Sequence, residues 1–336
     1  MSEPAEIRVT NVRRVFHNGK HNAFTSLIRF RDRYYLSFRS CPDGHYAYPT
    51  SSLIILASDD AETWEQVHSF SVPKRDVRDG HFLVFEDKLF VYTGTWFCGD
   101  SSPDADRQRG HACEMNQQLG YGVVTEDGQT WSDPTMLEGT YGHFIWHATE
   151  HNGVAYMCGR RKREFVALEA DDRSLHESAM LESDDGLVWR TRALFQTTHG
   201  NETSFLFEPD DSVLAVCRSK MSSSQLCRSK PPYTDWTRTD INRFIGGPML
   251  VKWGERYLVG GRKGDYDEVP ATVLSWLIDE QLHDVAVLPS AGDNSYSGFV
   301  ELSPTRGVIS WYSSHEQDAA GKAMTAIYLA ELEISE

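Results

Sequence analysis

The 336-residue sequence lacks any surplus of positive charge: 49 aspartates and glutamates against 33 lysines and arginines leave a formal net charge of −16. Such a chain repels polyanions, so neither nucleic acid nor an anionic membrane surface is an expected partner. No apolar run approaches the ~20 residues that a helix needs to cross a bilayer. The opening Met1-Ser2-Glu3-Pro4-Ala5-Glu6 has neither the basic nor the apolar region of an export signal, which leads to the expectation of a cytoplasmic protein. Cysteine is sparse as well: positions 41, 98, 113, 158, 217 and 227 form no CxxC pair, and no Cys/His pair has ligand spacing. Reduced thiols, no metal and no cofactor are therefore expected. Cys158 and Cys217 lie in apolar strand patterns and are expected in the core. Helical periodicity is almost missing; no long segment repeats its apolar residues every 3.6 positions.

What the sequence does contain is a repeated hairpin. In Gly200 to Arg218, an apolar run, a polar turn at Pro209 to Ser212 and a second apolar run read as strand, turn and strand. The first residue of one arm and the last of the other then share an end, so Glu202 and Arg218 are delivered to one rim of a sheet. Five further segments align with this one: Phe24–Phe30 with Tyr35–Arg39, Phe82–Phe85 with Leu89–Tyr92, His147–Glu150 with Val154–Met157, Met249–Lys252 with Tyr257–Gly260, and Phe299–Leu302 with Val308–Tyr312. Their turns carry Asp, Asn, Gly, Pro or Arg, as turn geometry requires.

After most hairpins a third segment ends in an acidic turn and a tryptophan. Three copies are Ser58-Asp59-Asp60-Ala61-Glu62-Thr63-Trp64, Thr125-Glu126-Asp127-Gly128-Gln129-Thr130-Trp131 and Ser183-Asp184-Asp185-Gly186-Leu187-Val188-Trp189; a degenerate fourth ends at Trp236. Four-stranded units repeated around an axis make a β-propeller. With no linker or break in composition, the expectation is one all-β domain over residues 1–336, a six-bladed propeller. The strand Glu6 to Thr10 is expected to complete the last blade beside Ala326 to Glu331 and so close the ring.

The rim end of the hairpins carries more ionisable groups than a strand end needs. Asp79 and His81 open the second hairpin, His147 opens the third, and His315 and Glu316 follow the sixth; all five are candidates for lining a pocket. Asp43 and His45 lie in the loop after the first hairpin, within Ser40-Cys41-Pro42-Asp43-Gly44-His45. The aromatic stretch Tyr92 to Phe97 could stack a sugar face. The long polar segment Cys98 to Gln118 reads as an insertion loop, and its acidic residues lack calcium-loop spacing.

The SxDxGxTW pattern of the turns resembles the Asp-box, or BNR repeat, of the sialidase (neuraminidase) superfamily, and the resemblance runs over nearly the whole chain. In that family a Glu opens the fourth blade, an Arg ends its second strand, another Arg lies in the fifth blade, and a Tyr opens the sixth. Glu202, Arg218, Arg262 in Gly260-Gly261-Arg262, and Tyr296 in Asp293-Asn294-Ser295-Tyr296-Ser297-Gly298 follow that order here. The family's first arginine would fall near Ala23 or Phe24 and is missing, and Arg39 is the candidate substitute on the same rim. The chain looks closer to the sialidase-like hydrolases of bacteria than to a proven sialidase.

The resemblance implies an exo-acting glycoside hydrolase with a carbohydrate substrate, a terminal acidic sugar such as sialic acid or a related one. Sialidases use a Tyr nucleophile in place of a carboxylate, since an anionic nucleophile would be repelled by the sugar's own carboxylate. Tyr296 would then be the nucleophile and Glu202 its base, with Arg218, Arg262 and Arg39 gripping the anion. Asp43 or His45 would be the acid. Two alternatives stand beside it: a polysaccharide lyase on a propeller scaffold, and a non-catalytic carbohydrate-binding propeller.

Overall fold

A computed structural model describes residues 5–99, 115–166, 172–219, 223–264 and 269–335. The interior of the polar Cys98–Gln118 segment lies outside the described residues. Among the described residues, twenty-four strands assemble into six antiparallel sheets of four. Blade one contains β2 (His21–Phe30), β3 (Arg33–Cys41), β4 (Ser52–Ser58) and β5 (Glu65–Phe70); blade two contains β6 (Arg75–Phe85), β7 (Lys88–Phe97), β8 (Leu119–Thr125) and β9 (Thr135–Met136). Blade three follows with β10 (Phe144–His151), β11 (Val154–Lys162), β12 (His176–Ser183) and β13 (Arg190–Gln196), and blade four with β14 (Thr203–Phe207), β15 (Val213–Cys217), β16 (Gln225–Ser229) and β17 (Trp236–Asp240). Blade five is β18 (Gly246–Trp253), β19 (Arg256–Lys263), β20 (Ala271–Ile278) and β21 (Gln281–Val287). Blade six takes β22 (Asn294–Ser303), β23 (Arg306–Gln317) and β24 (Ala323–Ile334) from the end of the chain, and β1 (Ile7–Phe16) from its beginning. The arrangement is an all-β six-bladed propeller, with β1 hydrogen-bonded to β24 from Ile7↔Ile334 to Phe16↔Ile327.

Each sheet buries both faces against its neighbours, so the core is six apolar wedges set between blades. Leu36 and Phe38 of blade one pack with Val308 and Leu329 of blade six; Leu53 and Val77 join blades one and two. The series continues through Ile145, Phe205 and Val216 to Trp253, Trp276 and Trp311 between blades five and six. A fully buried leucine in such a wedge contributes about 1.5–3 kcal/mol. The described cysteines are free, and Cys158 and Cys217 are fully buried among these wedges.

Three acidic turns link the third and fourth strands of blades one to three, at the end away from the rim. Asp60 Oδ1 accepts from the backbone N–H of Glu62 and Thr63, each at 2.8 Å, and Asp127 and Asp185 repeat the arrangement. These backbone donors hold the Asp60 carboxyl down at about 2. The turns also fasten blades together. Tyr92 of blade two donates to the carbonyl of Gly186 in blade three at 2.9 Å, and a Cβ on Gly186, which sits at φ +75°, would stand 2.8 Å from that hydroxyl. Glycine is required there by both the backbone and the approach.

Candidate active site at the mouth of the ring

The innermost strand of five blades is bulged just inside the rim. Register slips between Ala23 and Ser26, Arg78 and His81, Trp146 and Ala148, Gly246 and Met249, and Ser295 and Gly298. A bulge re-aims a side chain that would otherwise follow the pleat. In four of the five, its first residue is left-handed: Phe24 at φ +64°, Asp79 at +56°, Gly247 at +57° and Tyr296 at +56°. Three of these residues are not glycine, and strain of this kind collects at functional sites. The surroundings enforce it for Tyr296, whose carbonyl accepts from Thr25 Oγ1 at 2.6 Å, while Ser295 Oγ donates to Gly246 O at 3.1 Å. The equivalent residue in blade five has no side chain, and a Cβ on Gly247 would come within 2.9 Å of the Tyr296 ring. Blade four has no bulge, and Glu202 stands immediately before β14.

These positions meet. Tyr296 Oη donates to Glu202 Oε1 at 2.9 Å; Glu202 Oε2 accepts from Arg218 Nη1 at 2.7 Å and from the Gly247 N–H at 3.2 Å. Burial alone would push the Glu202 carboxyl up, but Arg218, then Arg160 and the Tyr296 hydroxyl, outweigh it and hold the group below its ordinary range. Burial, reinforced by the Glu202 charge, pushes the Tyr296 phenol well above its usual value. At neutral pH the pair is a neutral phenol donating to a carboxylate. The ring is walled by Phe24 at 4.9 Å, Trp146 at 5.1 Å and Tyr312 at 5.9 Å between centroids.

Arg262 is half-buried in β19 opposite Gly246, and its charge acts on Tyr296 and Tyr312. Among the described residues its side chain has no hydrogen-bond partner. Asp79 is 4% exposed with Oδ1 unpaired. Burial first and Glu202 second raise its carboxyl to about 8, so it is protonated at neutral pH.

The loop expected to supply an acid separates its two candidates. Asp43 is exposed and accepts from Thr50 Oγ1 at 2.5 Å, and nothing ties it to Tyr296. His45 is exposed as well, but its ring centroid lies 5.7 Å from that of Phe24, and Nδ1 is 2.6 Å from Asp293 Oδ2. Asp293 also meets His21 Nε2 at 2.8 Å and accepts from the Tyr312 hydroxyl at 2.8 Å. Burial would raise the Asp293 carboxyl, but His21 and His45 outweigh it and hold it far below its normal range. His21, His45 and Asp293 are also the residues that could hold a metal ion among those described. Ligands around one tetrahedral ion stand about 3.3 Å apart; these shorter contacts are those of two imidazoles hydrogen-bonded to one carboxylate oxygen. Positions 21, 45 and 293 meet only because the ring closes, so no spacing in the sequence could reveal them.

Several expected pocket residues are elsewhere. Arg39 is not an anion clamp: it is 0% exposed, with Nε and Nη2 on Asp76 Oδ1 at 3.0 and 2.6 Å, Nη1 on Gly44 O and Nη2 also on Tyr46 O. The reason is the fully buried Asp76, which burial would neutralise and which Arg39 and Arg78 keep ionised. His315 and Glu316 do not reach the mouth. Their segment of β23 faces the outer strands, where Glu316 accepts from Arg14 of β1 and His315 packs on Tyr328 at 4.5 Å. His81 and His147 line a cavity of about 220 Å³ that runs along the axis from Tyr296, with Trp146 and Ser297. Burial lowers both imidazoles, to about 3 and about 4, so both are neutral. A larger recess of about 410 Å³ sits by the second acidic turn, lined by Lys88, Glu126 and Asp127, away from this chemistry.

Two arginines complete the mouth. Arg160 lies near the rim end of β11, gives Nη1 to Asn201 Oδ1 at 3.0 Å and stacks 5.3 Å from Phe144 and 6.0 Å from Trp96. Of the aromatic stretch, Trp96 thus borders the site while Tyr92 is core. Arg39 ↔ Ala23 and Arg262 ↔ Gly246 are each the last pair before the bulge, whereas Arg160 ↔ Phe144 lies two pairs farther toward the rim than the last such pair of its blade, Trp146 ↔ Cys158. Carrying the third hairpin three residues past Met157 would have exposed Arg160. Arg78 lies beside Asp79, with its charge acting on Asp79 and Tyr296.

No family model matches the chain, and no curated protein matches it. Among solved structures it is similar to a protein of unknown function from Dyadobacter fermentans, at 19% identity and a TM-score of 0.77, covering 98% of this chain and 99% of that one. It is also similar to a Trypanosoma rangeli sialidase in complex with the inhibitor DANA, at 12% identity and a TM-score of 0.66, and to the phage phi92 endosialidase, at 10% identity and 0.67. The alignment covers 93% of this chain but 55% of the T. rangeli chain, and 97% against 69% for the phage protein. At these identities the likeness is one of fold, a sialidase-like propeller.

Proposed function

We propose that this protein is a glycoside hydrolase that removes a terminal anionic sugar, with Tyr296 as nucleophile, Glu202 as its base, His45 as acid, and Arg218 and Arg262 receiving the anion. The observation that carries this is the 2.9 Å hydrogen bond from Tyr296 Oη to Glu202 Oε1, with the other carboxylate oxygen held by Arg218 and Gly247. A neutral phenol approaches an anionic sugar without repulsion, and the adjacent carboxylate takes its proton as it attacks.

In the first step Tyr296 Oη bonds to the anomeric carbon and passes its proton to Glu202. The glycosidic C–O bond breaks with its electron pair on the leaving oxygen, which takes a proton from His45 Nε2. Asp293 holds Nδ1 and so aims that nitrogen. Water then attacks the same carbon, gives a proton to His45, and Tyr296 departs, recovering its proton from Glu202. The separation of roles follows from environment: the base is an ionised carboxylate paired with arginine, and the acid is an imidazole on the rim.

A screen of aryl glycosides of sialic acid, other acidic sugars and neutral sugars tests the reading, with Tyr296→Phe and Glu202→Gln as controls. Turnover of an acidic glycoside, lost by about 10³-fold or more in Tyr296→Phe, is the expected result. Covalent labelling by 2,3-difluorosialic acid that maps to Tyr296 would identify the nucleophile. An unsaturated product absorbing in the ultraviolet would replace the hydrolase by a lyase. Turnover of no glycoside, with sugar affinity unaffected by Tyr296→Phe, would leave a binding propeller.

A further inference from the structure

The loop between β3 and β4, residues 42–51, forms no strand, and Pro42, Asp43, His45 and Tyr46 in it are exposed. An exposed loop of this kind samples many conformations unless something holds its backbone. Three consecutive carbonyls of this one, none of them in a strand ladder, accept from two guanidiniums. Arg39 Nη1 donates to Gly44 O at 2.8 Å and Arg39 Nη2 to Tyr46 O at 2.7 Å, while Arg78 Nη2 donates to His45 O at 3.2 Å.

Both guanidiniums are anchored on one carboxylate. Asp76 Oδ1 accepts from Arg39 Nε and Nη2 at 3.0 and 2.6 Å, and Asp76 Oδ2 accepts from Arg78 Nε at 2.5 Å. Arg39 and Asp76 are each 0% exposed, so these charge-assisted bonds are made away from water, where they are strongest. The planar fork of arginine reaches a carboxylate oxygen on one edge and two carbonyls, two residues apart, on the other; an ammonium is a single point of charge and cannot span them. An ion pair that only filled the core would have no need of the loop. This one gives its outer edge to the residues on either side of His45, and Arg78 takes the carbonyl of His45 itself. The imidazole is fixed separately, with Nδ1 2.6 Å from Asp293 Oδ2. Backbone and ring of His45 are thus held by two different carboxylates, one from blade two and one from the entry to blade six.

We infer that Arg39 and Asp76 form a latch that positions His45, by fixing the backbone of the loop that carries it at the mouth. Both are positioning residues and neither touches the substrate. The inference rests on the hydrolase reading only in taking His45 as the proton donor; the latch itself does not depend on it.

Two measurements on the full chain test the latch, and only one needs turnover. The first is the rate of chymotryptic cleavage after Tyr46 under native conditions. Arg39→Lys keeps a charge beside Asp76 but loses the fork, and cleavage is expected to rise about tenfold or more as the loop opens. The second is the dependence of kcat/KM on the leaving group. A nitrophenyl glycoside departs with little help from an acid, whereas an alkyl glycoside of the same acidic sugar needs a proton. Arg39→Lys should therefore keep kcat/KM within about threefold for the first and lose about 10²-fold for the second, in parallel with His45→Ala. A merely structural role would lower both alike. Should Arg39→Lys fail to fold, Arg78→Met removes the contact to His45 O while leaving Arg39 on Asp76, and is expected to show both effects more weakly. Unchanged cleavage in the folded variants overturns the inference, and so does a fall in kcat/KM that is equal for the two leaving groups. Faster cleavage, together with no turnover of any glycoside by the unmodified protein, overturns the hydrolase reading and leaves the latch standing.

Discussion

Replacing Asp79 by asparagine is expected to stabilise the protein at neutral pH, by an amount that grows with pH. The Asp79 carboxyl titrates near 3.8 when solvated and is raised to about 8 in the fold, by burial first and by the Glu202 charge second. The folded state therefore binds a proton over this range that the unfolded state has released. Its contribution is fully present below pH ~4 and is lost as pH rises toward ~8, at about 1.4 kcal/mol per pH unit. From 3.8 to pH 7 this amounts to about 4 kcal/mol. Asparagine has the shape of the protonated acid and no proton to lose, so the variant should match the parent near pH 4 and exceed it at pH 7 by a few kcal/mol. For a chain of 336 residues that corresponds to about 5 °C in Tm. The assay is chemical and thermal denaturation of both proteins at several pH values from 4.5 to 8. Parallel curves for the two proteins over that range, or a variant less stable at pH 7, would refute the assignment of a buried protonated carboxyl at the mouth.

Two further substitutions probe the architecture of the site. Gly247→Ala puts a Cβ 2.9 Å from the Tyr296 ring at a residue with φ +57°; on the proposed hydrolase reading, a well-folded protein whose turnover has fallen about 10²-fold, from displacement of Tyr296, is expected in circular dichroism and kinetics, and unchanged turnover would contradict it. Arg39→Met should lower stability by about 3–5 kcal/mol in urea denaturation, since it strips one of two cations from a fully buried carboxylate; a loss of sugar affinity without loss of stability would return Arg39 to the substrate.

How much was legible in advance differs from element to element. The six hairpins were visible because their interior residues alternate or run apolar, and Glu202, Arg218, Arg262 and Tyr296 stood at their ends. Strand ends were placed short, since the rim residues are polar and bulged: β2 begins at His21 and β6 at Arg75, ahead of the apolar segments that announced them. Arg39 and Arg262 occupy equivalent register positions and read alike in the sequence. One is sealed by Asp76 and the other is open at the mouth. His315 and Glu316 follow a second strand just as Arg39 does, but the side chains turn toward the outer strands of blade six.

Repetition is local, and so the sequence alone determined the blade unit, its acidic turns, the number of blades and the order in which polar groups arrive at the rim. Each of these depends on neighbours a few residues apart, through pleat, turn and hydrogen bond. The tertiary structure decided everything that depends on the ring closing. Closure carries Asp293 to His21 and His45, while the packing of neighbouring blades sets Arg78 over Phe24 and brings Gly247 under the Tyr296 ring. It also fixes which carboxyls are buried: water withdrawn from Asp79 and Glu202 leaves the first protonated and the second, paired with Arg218, ionised. A protonation state is a property of the finished surroundings, because the cost of a charge depends on what replaces its water.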